Sequence, residues 1–352
     1  MAQKVAPQDV FLYSKPQRRD SFKKGQLFKG FSVEVVRETE GETIQGNNKW
    51  LEDGNGDFAW SGDFEISRPS TLQTGSLPWW IAEYGIKELW DLGFKGQGIK
   101  IAVLDSGVQL DHPDLNISSE NTSDFSKSQQ KGVNDREGHG THLSGIVNGI
   151  HNENEVFGVA PEANLFVAKV TSNEWGDDPE LLADAIDWAV SKNVDIISIS
   201  KGFENHNDRL LQSIKAALQK PVLVVCAAGN FKSDRDRILF PAGFENVLSI
   251  GASTREKSVQ VNSSVSSRID LLAPGEEIYS TFKDSSYKRM SGTSQATPFV
   301  ASTLALLVEA CRKKNVAFSL PYFRTLLQQT GTPAIGSNRH LIINPIKAYE
   351  NI

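Results

Sequence analysis

From about residue 77 onward, short runs of consecutive apolar residues alternate with longer stretches in which apolar residues recur every three or four positions. Apolar runs bounded by polar residues are typical of strands buried on both faces of a sheet, and the longer stretches predict amphipathic helices. Such an alternation predicts an α/β fold, in which a parallel sheet carries helices on both faces. The predicted strands cover residues 100–104, 165–168, 195–199, 222–225 and 247–250, and the clearest helices cover residues 181–190 and 209–218.

The first 70 or so residues follow a different pattern. Residues 31–35 alternate apolar and polar positions, and the turn-forming segment 53–57 lies between short apolar runs that contain Trp50 and Trp60. These are signals of short antiparallel strands and a hairpin. Residues 66–76 are polar, contain Pro69 and Gly75, and have no periodicity, as expected of a linker. We therefore predict a small all-β barrel domain over residues 1–70, a linker over 71–76 and the α/β domain over 77–352.

Composition narrows the class of protein. Of the 352 residues, 39% are hydrophobic and 23% are charged, which is typical of a globular protein rather than a disordered one. The 37 Lys and Arg against 43 Asp and Glu give a net charge of −6, which argues against nucleic-acid binding. The longest apolar run, residues 222–228, is far shorter than the roughly 20 residues of a membrane span. Cys226 and Cys311, the two cysteines, are predicted to be small buried residues.

The N-terminal residues contain no apolar segment of the kind that marks a secretory signal. We therefore expect a cytoplasmic protein. The alternative is a secreted or periplasmic protein whose export signal has been removed from this sequence.

Four polar residues stand where a parallel sheet binds its ligands, at strand ends and helix starts. Asp105 directly follows the first strand, Asn230 follows the fourth, and His139 and Ser294 lie in glycine-rich segments before predicted helices. A serine hydroxyl needs a neighbouring base to act as a nucleophile, and an imidazole needs a carboxylate to fix its tautomer. An amide and a backbone N–H can together stabilise an oxyanion. The set predicts nucleophilic catalysis by Ser294. His139 would be the base, Asp105 the carboxylate that orients it and Asn230 a donor to the oxyanion.

The segments around these residues resemble the subtilisin family of serine proteases, and weaker similarity runs from about residue 77 to the C-terminus. The order Asp, His, Ser is the one found in that family. The resemblance implies a triad of Asp105, His139 and Ser294, with Asn230 as oxyanion donor, and an endopeptidase without a catalytic cofactor. Gln295 departs from the methionine that is usual after the nucleophile. The matching segments are residues 105–108 (DSGV), 139–145 (HGTHLSG), 227–230 (AAGN) and 292–298 (GTSQATP).

The resemblance also implies that a peptide substrate binds in extended conformation between two backbone edges. Main-chain hydrogen bonds then hold the peptide, and side-chain pockets select among sequences. Lys201 replaces an apolar residue usual in the family, so it either favours acidic substrate side chains or is simply solvated. The residues assigned to substrate binding are Ser200, Lys201 and Gly202 on one edge, Trp175, Gly176 and Asp177 on the other, and Gly229 beside the oxyanion donor.

A structural calcium ion is a further implication of the resemblance. Carboxylate, amide and carbonyl oxygens are the ligands that calcium prefers. An N-terminal glutamine ligand common in the family is replaced, because Gly75 falls at that position with Gln73 nearby. A zinc site is disfavoured because Glu137, His139 and His142 lack the metalloprotease spacing. The implied calcium ligands are the side chains of Asp114 and Asn152 and the carbonyl groups of Ile150, Asn154 and Val156.

Residues 49–62 resemble the bacterial form of the Src-homology-3-like barrel and do not resemble a prosegment. The resemblance implies that the N-terminal domain binds a peptide, a cell-wall polymer or the protease domain itself. Two alternatives to a freely acting endopeptidase follow. One is a peptide-binding protein that uses the protease fold without cleavage, and the other is an envelope-directed protease with a wall-binding domain.

Overall fold

A computed structural model describes residues 77–352 apart from 130, 153–155, 173–175 and 232–235, together with six strands among the first 76 residues. The chain divides into two compact units, Met1–Thr74 and Gly75–Ile352. The assignment of these units as separate functional domains stays a prediction.

The N-terminal unit contains one sheet in which every pairing is antiparallel, with the strand order β1-β4-β5-β6-β2-β3. The hairpin predicted around residues 53–57 corresponds to the β5–β6 pair, in which Trp50 lies opposite Trp60. Closure of this sheet into a barrel stays a prediction. The strands are β1 (Ala2–Val5), β2 (Val10–Tyr13), β3 (Lys23–Leu27), β4 (Ser32–Ile44), β5 (Asn47–Asp53) and β6 (Phe58–Trp60).

The larger unit is built on a nine-stranded sheet with the order β18-β19-β15-β14-β13-β12-β7-β9-β8, in which only the β18–β19 pair is antiparallel. A separate hairpin joins β16 and β17. The strands are β7 (Lys100–Asp105), β8 (Thr122–Asp124), β9 (Asn164–Lys169), β10 (Thr171–Ser172), β11 (Gly176–Asp177), β12 (Ile196–Ile199), β13 (Leu223–Ala227), β14 (Leu248–Ser253), β15 (Leu271–Pro274), β16 (Ile278–Phe282), β17 (Ser286–Met290), β18 (Thr332–Pro333) and β19 (Leu341–Ile342).

Helices cover this sheet on both faces, as predicted. Helix α3 packs against α6, and helix α4 packs against α5. Both α3 and α4 also contact the strands β7 and β9. Side-chain caps set the starts of α4 and α5, where Asp178 accepts from Glu180 N–H and Asn207 accepts from Leu210 N–H. The helices are α1 (Trp79–Ala82), α2 (Ile86–Asp91), α3 (His139–Asn148), α4 (Pro179–Ser191), α5 (Asp208–Leu218), α6 (Thr293–Lys314), α7 (Leu320–Thr330) and α8 (Pro345–Glu350), with a short 3₁₀ helix at Ser119–Asn121.

Helix α6 forms the centre of the core. Every residue from 295 to 311 is buried, so this helix is enclosed by protein on all sides, as its apolar sequence requires. It packs against β7, β12, β13, β14 and β15. Cys226 and Cys311 are both buried and unpaired, which agrees with the prediction. Within the described residues, no helix is both long enough and apolar enough to cross a membrane.

The strand register brings the predicted chemical groups to one edge of the sheet. Ile199 lies beside Leu104 on one side and beside Cys226 on the other. The residues that follow, Asp105, Ser200 and Ala227, therefore leave three adjacent parallel strands at the same level. The carboxyl edge of the sheet is thus where the site assembles.

Candidate active site

Asp105 and His139 form a hydrogen-bonded pair. Asp105 ends β7 and is fully buried, while His139 is the first residue of α3 and its side chain is 20% exposed. The distance from His139 Nδ1 to Asp105 Oδ1 is 2.6 Å, and the Ser106 N–H donates to the same oxygen at 2.8 Å. Because a carboxylate only accepts, Nδ1 carries the hydrogen and Nε2 is left as the basic nitrogen.

The charges of this pair stabilise each other. Burial alone would raise the pKa of Asp105, but the charges of His139 and Lys201 and hydrogen bonds from His139 and Ser106 lower that pKa well below its usual range. Burial alone would lower the pKa of His139, whereas the Asp105 carboxylate raises it above the ordinary value of 6.5, partly opposed by Lys201. Asp105 is therefore ionised at neutral pH, and the imidazolium form of His139 is favoured relative to an isolated histidine.

Ser294 is the second residue of α6 and is joined to the end of β12. The Ser200 hydroxyl donates to the Ser294 carbonyl oxygen at 2.9 Å, and the Ser294 hydroxyl donates to the Ser200 carbonyl oxygen at 3.4 Å. Among the described residues, this hydroxyl makes no hydrogen bond with His139 in this conformation. Such bonds are often formed only in the substrate complex, so the long bond to Ser200 leaves the hydroxyl available to reorient.

Asn230 is tied to the residue that precedes Ser294. Its Oδ1 accepts the Thr293 N–H at 3.1 Å, and the Thr293 hydroxyl in turn accepts the Gly229 N–H at 3.2 Å. Gly292 has φ of 149°, and a Cβ atom at that position would lie 3.1 Å from Asn230 Nδ2, so glycine is needed there. Because Asn230 Oδ1 accepts the Thr293 N–H, the Asn230 Nδ2 group, which can donate hydrogen bonds, points away from Thr293.

Asp135 is a buried residue of the site that the sequence analysis missed. Its Oδ1 accepts hydrogen bonds from the Ser106 hydroxyl and from the backbone N–H groups of Glu137 and Gly138, at 2.8–3.0 Å. Its Oδ2 accepts from the N–H and hydroxyl of Thr141 at 2.7–2.8 Å. These bonds fix the first turn of α3 and hence His139. An acidic residue shortly before a helix start is the signal that could have identified it.

The structure describes only some of the residues in the two predicted substrate-binding edges. The Lys201 side chain is mostly buried, and its Nζ lies 4.0 Å from Glu137 Oε2, close to the Asp105–His139 pair. Gly202 is followed by Phe203, whose backbone exchanges hydrogen bonds with Phe240. Gly176 and Asp177 form β11, which pairs with β10, and Trp175 lies outside the described residues.

The predicted calcium ligands Asp114 and Asn152 lie in contact. Asp114 is fully buried, its Oδ1 accepts from the Asn152 amide, and its Oδ2 accepts from the Tyr287 hydroxyl at 2.7 Å. Its carbonyl oxygen accepts the Ile150 N–H at 2.9 Å. Asn154 lies outside the described residues, and Val156 is buried. No group of three or more His, Cys, Asp or Glu side chains suited to a metal occurs in the described part of the chain, so this set would depend on one carboxylate and neutral oxygens.

His142 has a structural role. Its Nε2 lies 3.0 Å from the carbonyl oxygens of Ile278 and Lys288, which belong to the two strands of the β16–β17 hairpin. Burial lowers the pKa of His142 to about 3, so this ring is neutral near pH 7. The ring joins α3 to the hairpin, and this contact accounts for the His142 position without a metal ion.

Comparison with known proteins identifies the family. The model of the Subtilase family matches residues 96–340, which excludes β1–β6. The major intracellular serine protease of Bacillus subtilis (strain 168) is 36% identical over 249 residues, covering 69% of this chain and 78% of that protein. An intracellular serine protease of Paenibacillus polymyxa is 39% identical over 219 residues, covering 60% and 67% of the two chains.

Solved structures agree with these sequence relatives. The structure of the prenylagaramide maturation protease PagA has a TM-score of 0.65 and 27% sequence identity, and the match covers 76% of this chain and 97% of that one. The family model spans well over half of the chain, and it includes every residue of the carboxyl-edge site. The chain therefore belongs to the subtilase family and is a subtilisin-like serine endopeptidase.

Proposed function

We propose that this protein cleaves peptide bonds through an acyl-enzyme formed on Ser294, with His139 as general base, Asp105 as its orienting carboxylate and Asn230 as oxyanion donor. The observation that carries this proposal is the 2.6 Å hydrogen bond between His139 and the buried Asp105, beside the strand end that holds Ser294. No cofactor is needed for this chemistry. Ser294 Oγ supplies the electron pair of the new bond, and His139 carries the proton from the hydroxyl to the leaving amine.

The first step forms a bond between Ser294 Oγ and the carbonyl carbon of the substrate. The hydroxyl proton passes to His139 Nε2, and Asp105 stabilises the imidazolium that results. The negative charge on the former carbonyl oxygen is met by the Asn230 Nδ2 group and the Ser294 backbone N–H at the start of α6. His139 then protonates the leaving amine as the C–N bond breaks, and a water molecule releases the acyl group by the same route.

A fluorophosphonate probe tests this assignment directly, because it reacts only with an activated serine. The full chain is expected to be labelled on Ser294, whereas the His139→Ala variant is expected to label slowly and Ser294→Ala not at all. Equal labelling of the Ser294→Ala variant would contradict the assignment. Absence of labelling in the wild type would instead favour the alternative of a peptide-binding protein that does not cleave, which has no support from the comparisons.

The substrate proposed is a peptide or protein segment in extended conformation along Ser200, Lys201 and Gly202. Backbone groups of this edge follow directly from the carboxyl end of β12, so they are positioned for strand addition. The facing edge at Gly176 and Asp177, and a preference of Lys201 for acidic side chains, belong to the same proposal.

For the N-terminal unit we retain a peptide, a cell-wall polymer or the protease unit as candidate ligands. Binding in a pull-down on peptidoglycan would identify the cell-wall polymer among them.

A cytoplasmic location is proposed because two relatives are named as intracellular proteases. Fractionation of the source cells, with detection of the full chain by antibody, tests this location. Recovery in the culture medium would overturn it.

Calcium is proposed to bind at Asp114, with the Asn152 side chain and the carbonyl groups of Ile150, Asn154 and Val156 as the remaining ligands. Carboxylate, amide and carbonyl oxygens suit a hard cation, and the fully buried Asp114 already lies in contact with the Asn152 amide. Its role would be to hold the loop after α3 and thereby the helix that contains His139, without taking part in the reaction.

Removal of calcium is expected to lower the Tm of the protein, measured in the Ser294→Ala background to prevent self-digestion. A ligand present at 100 times its Kd stabilises the folded state by about 2.7 kcal/mol. For a domain of this size, such a change corresponds to roughly 5–10 °C in Tm. The Asp114→Asn variant should lose this response to EGTA, whereas Asp111→Asn, a change at an exposed neighbour, should keep it. An unchanged Tm in EGTA would contradict the calcium proposal.

A further inference from the structure

A cavity of about 510 Å³ lies at the edge of the sheet opposite to the active site. Asn230 follows the carboxyl end of β13, whereas Val222 and Leu223, at the amino end of the same strand, line the cavity. Most of the remaining wall comes from the end of α5 and the start of α7. Volumes of roughly 300–1,000 Å³ are typical of small-molecule sites. The cavity is therefore large enough for a ligand and separate from the residues of the reaction.

The deepest residues of this cavity are aliphatic. Val222, Leu223 and Leu320 all line it and are only 2–5% exposed. Leu218 and Phe318, which are half-buried, extend the apolar wall outwards. Apolar surface of a ligand that leaves water at this wall contributes favourably to binding.

The part of the wall beside β13 is poorly suited to bind a peptide backbone. Pro221 and Pro321 have no N–H group. Every other N–H group of segment 219–223 already donates to a carbonyl oxygen of the protein, namely those of Gln219, Lys220, Val222 and Leu223. An extended peptide needs partners for its own carbonyl groups, whereas a hydrocarbon chain needs none. This wall therefore favours an alkyl chain over a peptide.

Two cations and no anion line the cavity. Lys215 and Lys220 are both exposed, and neither ammonium group makes an ion pair or hydrogen bond with the described part of the chain. Glu245, next to Asn246 in the chain, is not among the lining residues. A lysine can place its apolar stem along such a wall and keep its ammonium group at the mouth. Although the chain has a net charge of −6, the cavity is thus complementary to an anion.

We propose that this cavity binds a single-chain carboxylate of the fatty-acid type. The alkyl chain lies against Val222, Leu223 and Leu320, and the carboxylate accepts hydrogen bonds from the ammonium groups of Lys215 and Lys220. A small anion would leave the apolar wall in water, and a neutral hydrocarbon would leave both cations without a partner. A ligand with one apolar body and one anionic end matches both features.

The test is isothermal titration calorimetry of dodecanoate, below its micelle concentration, into the full chain with the Ser294→Ala change. This background prevents self-digestion and makes the result independent of the proposed function. One dodecanoate is expected to bind per chain. Octanoate should bind at least about tenfold more weakly, because each buried methylene is worth up to about fourfold in Kd. Dodecyltrimethylammonium, which has the opposite charge, should also bind at least about tenfold more weakly.

Removal of the two cations tests where the carboxylate binds. The Lys215→Gln/Lys220→Gln variant is expected to bind dodecanoate about tenfold more weakly, since each exposed ion pair is worth up to about fivefold. The matched control is Lys87→Gln/Lys347→Gln, which removes the same charge at residues that do not line the cavity. This control should keep the original Kd.

A second variant tests the cavity without changing the charge. Gln219, the residue after α5, lines the cavity, and Gln219→Trp is expected to fill it and abolish dodecanoate binding. Gln212 is also exposed but does not line the cavity, so Gln212→Trp should bind normally. An unchanged Tm of each ligand-free variant is the control for folding.

Absence of dodecanoate binding, or equal binding of octanoate or dodecyltrimethylammonium, would overturn the proposal. Full binding in either Lys215→Gln/Lys220→Gln or Gln219→Trp would overturn it as well. Displacement of dodecanoate by the tripeptide acetyl-Leu-Leu-Leu at lower concentrations than octanoate requires would identify a peptide as the occupant instead. Dimerisation that Gln219→Trp abolishes, without dodecanoate binding, would identify a second copy of the chain.

Discussion

Replacement of Ser294 by alanine is expected to reduce kcat for peptide hydrolysis by about 10⁶, a magnitude carried over from subtilisins rather than derived from this structure. The variant loses the atom that would form the acyl bond, and the nearby Ser200 hydroxyl already donates its hydrogen bond to the carbonyl oxygen of residue 294. The measurement is the initial rate on a peptide p-nitroanilide, with active enzyme in the wild type counted by fluorophosphonate titration.

The double variant Ser294→Ala/His139→Ala separates this mechanism from a general loss of structure. Because serine and histidine act as one unit, removing both should cost about as much as removing either one. Additive losses in the double variant, or normal peptidase activity in Ser294→Ala, would rule out the proposed nucleophile. Preserved Tm in all three variants is the control for folding.

The α/β architecture could be predicted because its strands are apolar on both faces. Each of the five predicted strands corresponds to a strand of the central sheet within one or two residues at each end, except that β14 extends to Ser253. The position of the site could be predicted as well, because ligands of a parallel sheet bind at the carboxyl ends of its strands. Asp105, Ser200 and Ala227 lie next to each other at that edge, since their strands are paired in register. Local sequence was sufficient here because each of these strands is a continuous apolar run, which can be recognised without knowing its neighbours in the sheet.

The hairpin β16–β17 was not predicted, and the reason is physical. Its second strand, Ser286–Met290, is only half-buried along its whole length and has no clear alternation, so its conformation depends on pairing with Ile278–Phe282. A long-range contact also contributes to the role of Asp135. Four of its five hydrogen bonds come from residues 137–141, which lie two to six positions along the chain, but the fifth comes from Ser106, which lies 29 positions away.

Replacement of Asp105 by asparagine is expected to lower kcat by about 10⁴, as measured when the corresponding carboxylate of serine proteases is neutralised. Asp105 Oδ1 accepts both the His139 ring N–H and the Ser106 N–H, and Oδ2 is buried and accepts no hydrogen bond from any residue that the structure describes. An asparagine placed with its oxygen at Oδ1 keeps both hydrogen bonds but has no charge to stabilise the imidazolium. Placed the other way, its amide hydrogens would face His139 and favour the wrong tautomer.

The pH profile of Asp105→Asn distinguishes loss of charge from simple misfolding. The Asp105 carboxylate is the main factor that raises the pKa of His139, while burial and Lys201 lower it. The base must be neutral to accept the Ser294 proton, so kcat/KM should rise with pH through the pKa of His139. Without the carboxylate that pKa falls, and the rising limb of the variant should move to lower pH than in the wild type. Asp91→Asn, a change at an exposed acid in α2, should leave the limb in place. A limb that stays in place, or moves to higher pH, would show that Asp105 does not control the protonation of His139, whatever the loss in kcat.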